Sequence, residues 1–339
     1  MTSQLLIRAD ASPDVGVGHV MRCLALAQSW QDLDLGSVHI ACLEIPHALE
    51  RRLQANGISI HRLAEPDRAA DVAAIASDIE ANWIVVDGYR FDEEYHRGVR
   101  ACGARVLVVD DFGTTGSWDA DILLDQNMGA SFDQHYGGAR VQGPVLMGSN
   151  FCLLRREFRT YSPSSTEATS GVLNILVLAG GGAGGGFRSV IIPLLEEVAS
   201  PIQARVVVGP ADSVESSTTP VESERIKVLV DVRDMPAQME WADVAVSASG
   251  STAWELMFMG VPSVLVPVAD NQKSIARMLH EEGAVVSVDD CTQIGEQLNA
   301  LVNDREKRQL LRKRAQSMID GLGAQRVITE MMALENSSR

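Results

Sequence analysis

Gly16-Val17-Gly18-His19-Val20-Met21-Arg22 groups the residue types that a proton-transfer site needs. The two glycines let the backbone turn tightly and approach a ligand with no Cβ in the way. A helix expected to open at Val20 presents unpaired N–H groups and a partial positive charge, which suit an anion or a developing negative charge. His19 sits at that opening, and an imidazole takes or gives a proton near neutral pH. The same pattern also serves as a plain turn. Gly-x-Gly after a strand occurs in many α/β proteins that bind nothing there, and a histidine at a helix start needs no chemical role.

More polar residues fall where buried strands are expected to end: Arg8 and Asp10, Asp87-Gly88-Tyr89, Asp110-Asp111, and Asp125-Gln126-Asn127. Aspartates in such places also cap helices and shape turns, and for Asp110, Asp111 and Asp125 the two readings stand level. Tyr89 either reaches beyond its strand with its hydroxyl or covers the sheet edge. Further along, Ser249-Gly250-Ser251-Thr252 offers N–H and hydroxyl donors at a helix start, suited to a diphosphate. Glu255, one turn on, can accept two hydrogen bonds from adjacent ribose hydroxyls. It equally completes a capping box. Six glycines in residues 179–186 either cradle a phosphate through backbone N–H groups or are simple flexibility. No Gly-Lys-Ser/Thr follows them, so this is not a P-loop, and the run is not a clean dinucleotide fingerprint; a nicotinamide cofactor is not favoured.

The elements that must position these residues follow from hydrophobic patterning. Short continuous apolar runs alternate with helix-like segments, as in a parallel sheet covered on both faces. In the first half, strands are expected at 5–7, 37–42, 58–63, 83–87 and 105–110, with shorter ones near 122–124 and 145–147. Helices are expected at 20–30, 46–55, 67–81 and 92–102. On the first of these, Val20, Cys23, Leu24, Ala27 and Trp30 share one face. The polar stretch 161–171 reads as a linker. A second alternation follows, with strands at 173–178, 204–208, 226–230, 244–247, 263–266 and 284–288. Its helices include 187–198, and two more at about 304–320 and 324–334 follow. The domains therefore read as 1–160 and 171–320, with a C-terminal helix in 321–339. Two doubly wound halves make a cleft, into which both aim the loops at the carboxyl ends of their strands.

Composition narrows the partners. At 339 residues, 46% apolar and 22% charged, the chain reads as an ordinary globular protein of two domains. Its formal charge of −16 repels nucleic acid and anionic membrane, and neither is expected as a partner. A small phosphorylated ligand stays compatible, because a local N–H cluster holds phosphate in an acidic protein. The five cysteines, Cys23, Cys42, Cys102, Cys152 and Cys291, are odd in number and scattered. They signal neither a disulfide framework nor a zinc site, and they suit a reducing cytoplasm. No secretory signal is read, and no stretch approaches the roughly 18 apolar residues of a membrane span.

Arg8-Ala9-Asp10-Ala11-Ser12, followed by Gly16-Val17-Gly18-His19-Val20-Met21-Arg22-Cys23-Leu24-Ala25-Leu26-Ala27, resembles the opening of a specific enzyme family. This is the UDP-2,4-diacetamido-2,4,6-trideoxy-β-L-altropyranose hydrolases of pseudaminic acid synthesis. Val85-Val86-Asp87-Gly88-Tyr89, Val109-Asp110-Asp111, Leu123-Leu124-Asp125-Gln126-Asn127 and Leu153-Leu154-Arg155-Arg156-Glu157-Phe158 match further blocks in order. The second half is similar to a wider set that includes the N-acetylglucosaminyltransferase of peptidoglycan synthesis. There Asp234-Met235, Trp241-Ala242-Asp243-Val244, Ser249-Gly250, Glu255, Gly260-Val261-Pro262 and Asn271-Gln272 fall in the family's order.

The resemblance implies a glycosyltransferase-B fold of class α/β: two Rossmann-like domains facing across a cleft, with the nucleotide held mainly by the second. It implies attack of water on the anomeric carbon with inversion, release of UDP, and no metal or cofactor. His19 matches the family's catalytic histidine. Arg8, Asp10, Gly18, Arg22, Tyr89, Asn127 and Arg155 would bind substrate. Gly181, Gly182, Val232, Ser249, Gly250, Ser251, Thr252, Glu255, Asn271 and Gln272 would bind nucleotide, with Val232 near the uracil and Glu255 at the ribose. One departure stands out: where the family usually carries Gly-Gly-Ser/Thr-Asp, this chain has Gly180-Gly181-Gly182-Ala183. The alternatives are a related UDP-sugar glycosyltransferase and a UDP-sugar binding protein that has lost turnover.

Overall fold

The computed structural model describes residues 3–12, 15–65, 67–113, 116, 118–161, 171–178, 185–209, 223–230 and 232–337. The chain forms two compact units, one of Met1–Arg156 with Gly321–Arg339, the other of Glu157–Asp320. Residues 162–170, most of the expected linker, lie outside the described residues.

The first unit runs β1 (Leu5–Ala9), α1 (Gly18–Asp32), β2 (Val38–Cys42), α2 (His47–Ala55), β3 (Ser59–Arg62), α3 (Ala69–Asp78), β4 (Trp83–Asp87), α4 (Glu93–Arg100), β5 (Arg105–Val109), β6 (Asp119–Ala120), β7 (Ile122–Asp125), β8 (Arg140–Val141) and β9 (Val145–Met147). Seven of these strands form one sheet in the order β3-β2-β1-β4-β5-β7-β9, parallel throughout. Every residue of β1 and β4 is buried, as expected of central strands with helices on both faces. The small parallel pair β6–β8 stands outside that sheet and was not expected from the sequence.

Helix α1 departs from the expected single apolar face. It begins at Gly18, two residues early, and is buried almost all round, from His19 to Trp30. The reason lies far along the chain. Helix α12 (Gly323–Ser337) packs against α1, and its Ala324, Val327, Ile328 and Met331 join the same core as Val20, Leu24, Ala27 and Trp30. Burying each large apolar side chain contributes about 1.5–3 kcal/mol, so this cover is a substantial part of the unit's stability. Beyond α1 the chain returns through Gly36, at φ +148, where a Cβ would lie 1.9 Å from the Ser3 carbonyl oxygen. Only glycine fits there.

The second unit runs α5 (Arg156–Arg159, at the boundary), β10 (Leu173–Leu178), α6 (Gly185–Glu196), β11 (Ile202–Val208), β12 (Ile226–Val230), α7 (Met235–Trp241), β13 (Val244–Ala248), α8 (Thr252–Met259), β14 (Ser263–Val266), α9 (Asp270–Glu281), β15 (Val286–Ser287), α10 (Ile294–Asn303) and α11 (Arg305–Gln316). Its parallel sheet has the order β12-β11-β10-β13-β14-β15, so the first five strands of each unit repeat one winding. Three expected elements are shorter than their apolar pattern. The strand at 284–288 shrinks to β15, the helix at 304–320 to α11, and the helix at 67–81 to α3, past which Glu80 takes φ +53. Helix α8 stops at Gly260, whose left-handed φ of +69 closes the helix.

Candidate active site

His19 lies in the first turn of α1, and no side chain caps that helix start. Its Nδ1 stands 2.6 Å from Oδ1 of Asp87, the last residue of β4. Strand β4 pairs with β1 so that Asp87 lies beside Ala9, and this register places the carboxylate next to the helix opening. Asp87 is 1% exposed. Burial works to raise its pKa, but Arg22 and His19 more than reverse this and hold the carboxyl well below the usual carboxylate range. An ionised Asp87 accepts, so Nδ1 donates and Nε2 is left as the acceptor.

Arg22, one turn along α1, forks onto Asp87, with Nε donating to Oδ2 at 2.7 Å and Nη2 to Oδ1 at 2.7 Å. Its Nη1 donates to both oxygens of Asp111, at 2.9 and 3.0 Å. A buried guanidinium between two carboxylates is the arrangement in which such charges tolerate burial.

Asp111, just past β5, gathers side chains. Besides Arg22 it accepts from the Tyr89 hydroxyl at 2.7 Å and from Asn127 Nδ2 at 2.6 Å. Burial again works to raise its pKa, and Arg22 with the Tyr89 hydrogen bond brings it below the ordinary value. The Tyr89 ring stands edge-on to the His19 ring, with centroids 4.7 Å apart. Asp125 shapes the turn, accepting from the backbone N–H of Phe112 and of Asn127, each at 2.9 Å. Asp111 holds the side chains of Arg22, Tyr89 and Asn127, and Asp125 holds those of Asn127 and Tyr136 together with the backbone of the turn, so the two readings stay level for both. Tyr136 closes this end of the cluster, its hydroxyl 2.7 Å from Asp125 and 3.1 Å from Asp110. Burial, followed by the nearby Asp111 charge, raises the Asp125 pKa.

The other candidates of this unit lie on α1, on and just past β1, and at the end of the unit. Gly18 opens α1. Arg8 is fully buried in β1, paired with Asp10 at 2.7 Å, donating to Tyr95 at 3.2 Å and lying over the Phe91 ring. Asp10 also receives Arg90 at 2.5 Å and the Leu43 N–H at 2.6 Å. Arg155 is 4% exposed beside the end of the unit. The sequence reading did not assign roles to Asp87, Asp111 and Tyr136. For the two aspartates the signal was present, since β4 and β5 are neighbouring buried strands that run into acidic residues. Tyr136, in a single π-helical turn at Phe132–Tyr136, carried none.

In the second unit, Ser249 follows β13, fully buried, and its N–H donates to the Val266 carbonyl at 3.2 Å. Ser251 is the residue before α8, and Thr252 and Glu255 lie in the first turn of that helix. The capping box does not form. Ser251 adopts helical angles (φ −56, ψ −25), and its side chain makes no cap hydrogen bond. Gln272, in the first turn of α9, lies beside Gly250, its Nε2 3.7 Å from where a Cβ would stand. Asn271 is exposed and Val232 half-buried on the approach to α7. Gly181 and Gly182 lie outside the described residues. Among the described residues, no group of three or more His, Cys, Asp or Glu is arranged to hold a metal ion. No described helix is long and apolar enough to cross a membrane.

Residues 178–329 match the family model of the glycosyltransferase family 28 C-terminal domain. The chain is 21% identical over 274 residues to an uncharacterized protein of Methanocaldococcus jannaschii, covering 78% of this chain and 55% of that protein. It is 23% identical over 165 residues to the UDP-2,4-diacetamido-2,4,6-trideoxy-beta-L-altropyranose hydrolase of Campylobacter jejuni, covering 48% of this chain and 56% of that one. The chain thus spans little more than half the length of either relative. Among solved structures, MurG of Acinetobacter baumannii aligns with a TM-score of 0.64 at 17% identity, covering 96% of this chain and 98% of that one. That likeness shows the fold, the glycosyltransferase-B type built of two Rossmann-like α/β domains.

Proposed function

We infer that the chain is a UDP-sugar hydrolase that cleaves a UDP-linked 2,4-diacetamido-trideoxy-hexose to free sugar and UDP. The observation that carries this reading is the 2.6 Å hydrogen bond from His19 Nδ1 to buried Asp87, which leaves Nε2 as a fixed proton acceptor. The similarity to the Campylobacter hydrolase and the Gly16–Arg22 block support water as the nucleophile and this sugar class as the substrate.

Water bonds to the anomeric carbon, and its proton passes to His19 Nε2. The bond from that carbon to the diphosphate oxygen breaks on the opposite face with its electron pair, so the sugar inverts and UDP departs as an anion. With His19 neutral, Arg22, Asp87 and Asp111 carry a net charge of −1; the proton taken by His19 brings the four side chains to neutrality. That balance favours the transfer, because the buried Asp87 carboxylate attracts the proton that His19 takes. The Ser249 hydroxyl, with the N–H and hydroxyl donors of Gly250–Thr252 at the start of α8, would hold the leaving diphosphate, with Glu255 on the ribose. Arg8, Asp10, Asn127 and Arg155 support the sugar side, and Val232, Asn271 and Gln272 the nucleotide side.

A related glycosyltransferase is the second reading, favoured by the family 28 match over 178–329. It uses the same base, with an acceptor hydroxyl in place of water.

UDP release from a panel of UDP-sugars, by wild type and His19→Ala, tests both. The hydrolase gives UDP and free sugar with no acceptor present. The variant loses about 10²–10⁴ in turnover while UDP affinity stays within a few-fold. Release only when an acceptor is added moves the assignment to a transferase. Normal turnover by His19→Ala overturns the mechanism.

A further inference from the structure

Tyr89 is an unusual wall for a site. It is 36% exposed, yet its hydroxyl is tied inward to Asp111, itself only 4% exposed. An exposed tyrosine normally leaves its hydroxyl to water and its ring free to change rotamer. Here a 2.7 Å hydrogen bond and the edge-on contact with His19 fix the ring. Asp111 is in turn fixed by three groups on three different elements: Arg22 from α1, Asn127 past β7, and Tyr89 past β4.

We propose that Asp111 is a positioning residue acting through Tyr89, whose hydroxyl it fixes as a hydrogen-bond acceptor facing the group that reacts beside His19. The reasoning is a proton count. An ionised carboxylate can only accept, so Tyr89 must donate its one hydrogen to Asp111. The phenol oxygen then has lone pairs and no hydrogen to offer, and it can bind only an O–H or N–H donor. His19 Nε2 is an acceptor for the parallel reason, through Asp87. Arg22 bonds both carboxylates, so a single guanidinium sets two aromatic acceptors side by side. Substrate donors, whether water O–H or an amide or hydroxyl hydrogen of the sugar, meet two acceptors of fixed direction. This inference rests on the hydrolase reading for its reaction.

A double-mutant cycle tests it, using wild type, Tyr89→Phe, Asp111→Asn and the double variant. Each single change is expected to lower kcat/KM 10- to 100-fold with UDP affinity within about threefold. If Asp111 acts through Tyr89, the double variant falls no more than about threefold below the worse single one. Losses that multiply overturn the proposal, as does a Tyr89→Phe enzyme with wild-type kcat/KM. Should Asp111→Asn fail to fold, Asp111→Glu takes its place. It keeps the charge that faces Arg22 and shifts the carboxylate from the Tyr89 hydroxyl, and its loss must vanish in the Tyr89→Phe background. Wild type that turns over no UDP-sugar marks the failure of the hydrolase reading alone. The same four proteins are then compared by the ratio of UDP-sugar to UDP affinity. Effects that fail to add in that ratio sustain the proposal, and additive or absent effects overturn it.

Discussion

In the first unit, β1, β4, β5 and β7 run towards or into Asp10, Asp87, Asp110-Asp111 and Asp125; in the second, the equivalent β10, β13 and β14 run into glycines, Ser247 to Ser249, and Pro267. The winding is the same, but β10, β13 and β14 lead into neutral residues where β1, β4 and β5 lead into acids; the outer β7 and β15 both lead into acids, Asp125 and Asp289-Asp290. The first unit buries Arg8–Asp10, Arg22–Asp87 and Arg22–Asp111 pairs, with every side chain less than a tenth exposed. In the second unit the pairs Lys273–Asp270, Arg277–Glu281 and Arg314–Glu282 lie at the surface. Moving a proton calls for charges fixed in advance and shielded from water. Holding a diphosphate calls for neutral donors, because the ligand brings the charge itself. One winding carries either kind of group just past its strands.

The most damaging way to probe this contrast is Arg22→Met, which leaves Asp87 and Asp111 buried without their cation. Breaking a buried pair costs about 3–5 kcal/mol. Hydrogen exchange followed unit by unit should show that loss in residues 3–156 and 321–337, with 171–320 protected as before. Equal loss in both units would break the comparison.

Acid should separate the units next. Asp10, Asp87 and Asp111 all have lowered pKa values in the folded chain. Their stabilisation is present above the unfolded carboxylate range and is lost as pH falls through the folded values. Asp125, which is raised, works the other way. His96 adds a term at milder pH. It is fully buried with neither ring nitrogen hydrogen-bonded, and burial lowers its pKa from 6.5 to about 4. The unfolded chain therefore binds this proton first, and stability falls as pH drops from 6.5 towards 4, by about 3 kcal/mol at most. His96→Leu should flatten that slope in denaturant titrations of the first unit. An unchanged slope would remove His96 from the account.

Glu255→Ala is the gentlest test, acting on the neutral side of the contrast. Loss of a charged hydrogen bond to ribose would weaken UDP binding by about 1.5 kcal/mol, roughly tenfold. Calorimetric titration reads this directly, and the acid stability of the first unit should not move. Unchanged UDP affinity would place the ribose contact on another residue.

These predictions also mark where sequence reading succeeded. Strands such as 83–87, 173–178, 226–230 and 263–266 were legible because continuous apolar runs between helices have few other solutions. The place of His19 at a helix opening was legible because glycines and a strand end precede it. The partners that give His19 its direction were only half legible. Asp87 could be placed at a strand end, but which side chain it would hold depends on the register of β4 with β1. The full burial of α1 was hidden because its cover, α12, lies nearly 300 residues along the chain, and propensity within α1 holds no trace of it. Ser251 misled for the reverse reason: the local capping pattern was correct, and the backbone entered the helix one residue early.

Helix α12 has a consequence in time. A ribosome releases the first unit's sheet long before it makes the helix that covers α1. Some 160 residues of the second unit come between them. At about 5–20 residues per second this is a wait of roughly 10–30 s. Through that interval the flank of α1 carrying its apolar side chains is uncovered, and the nascent chain is open to aggregation or to capture by a chaperone. The first unit thus begins synthesis before the second and is completed after it, so its core closes only once the second unit has been made.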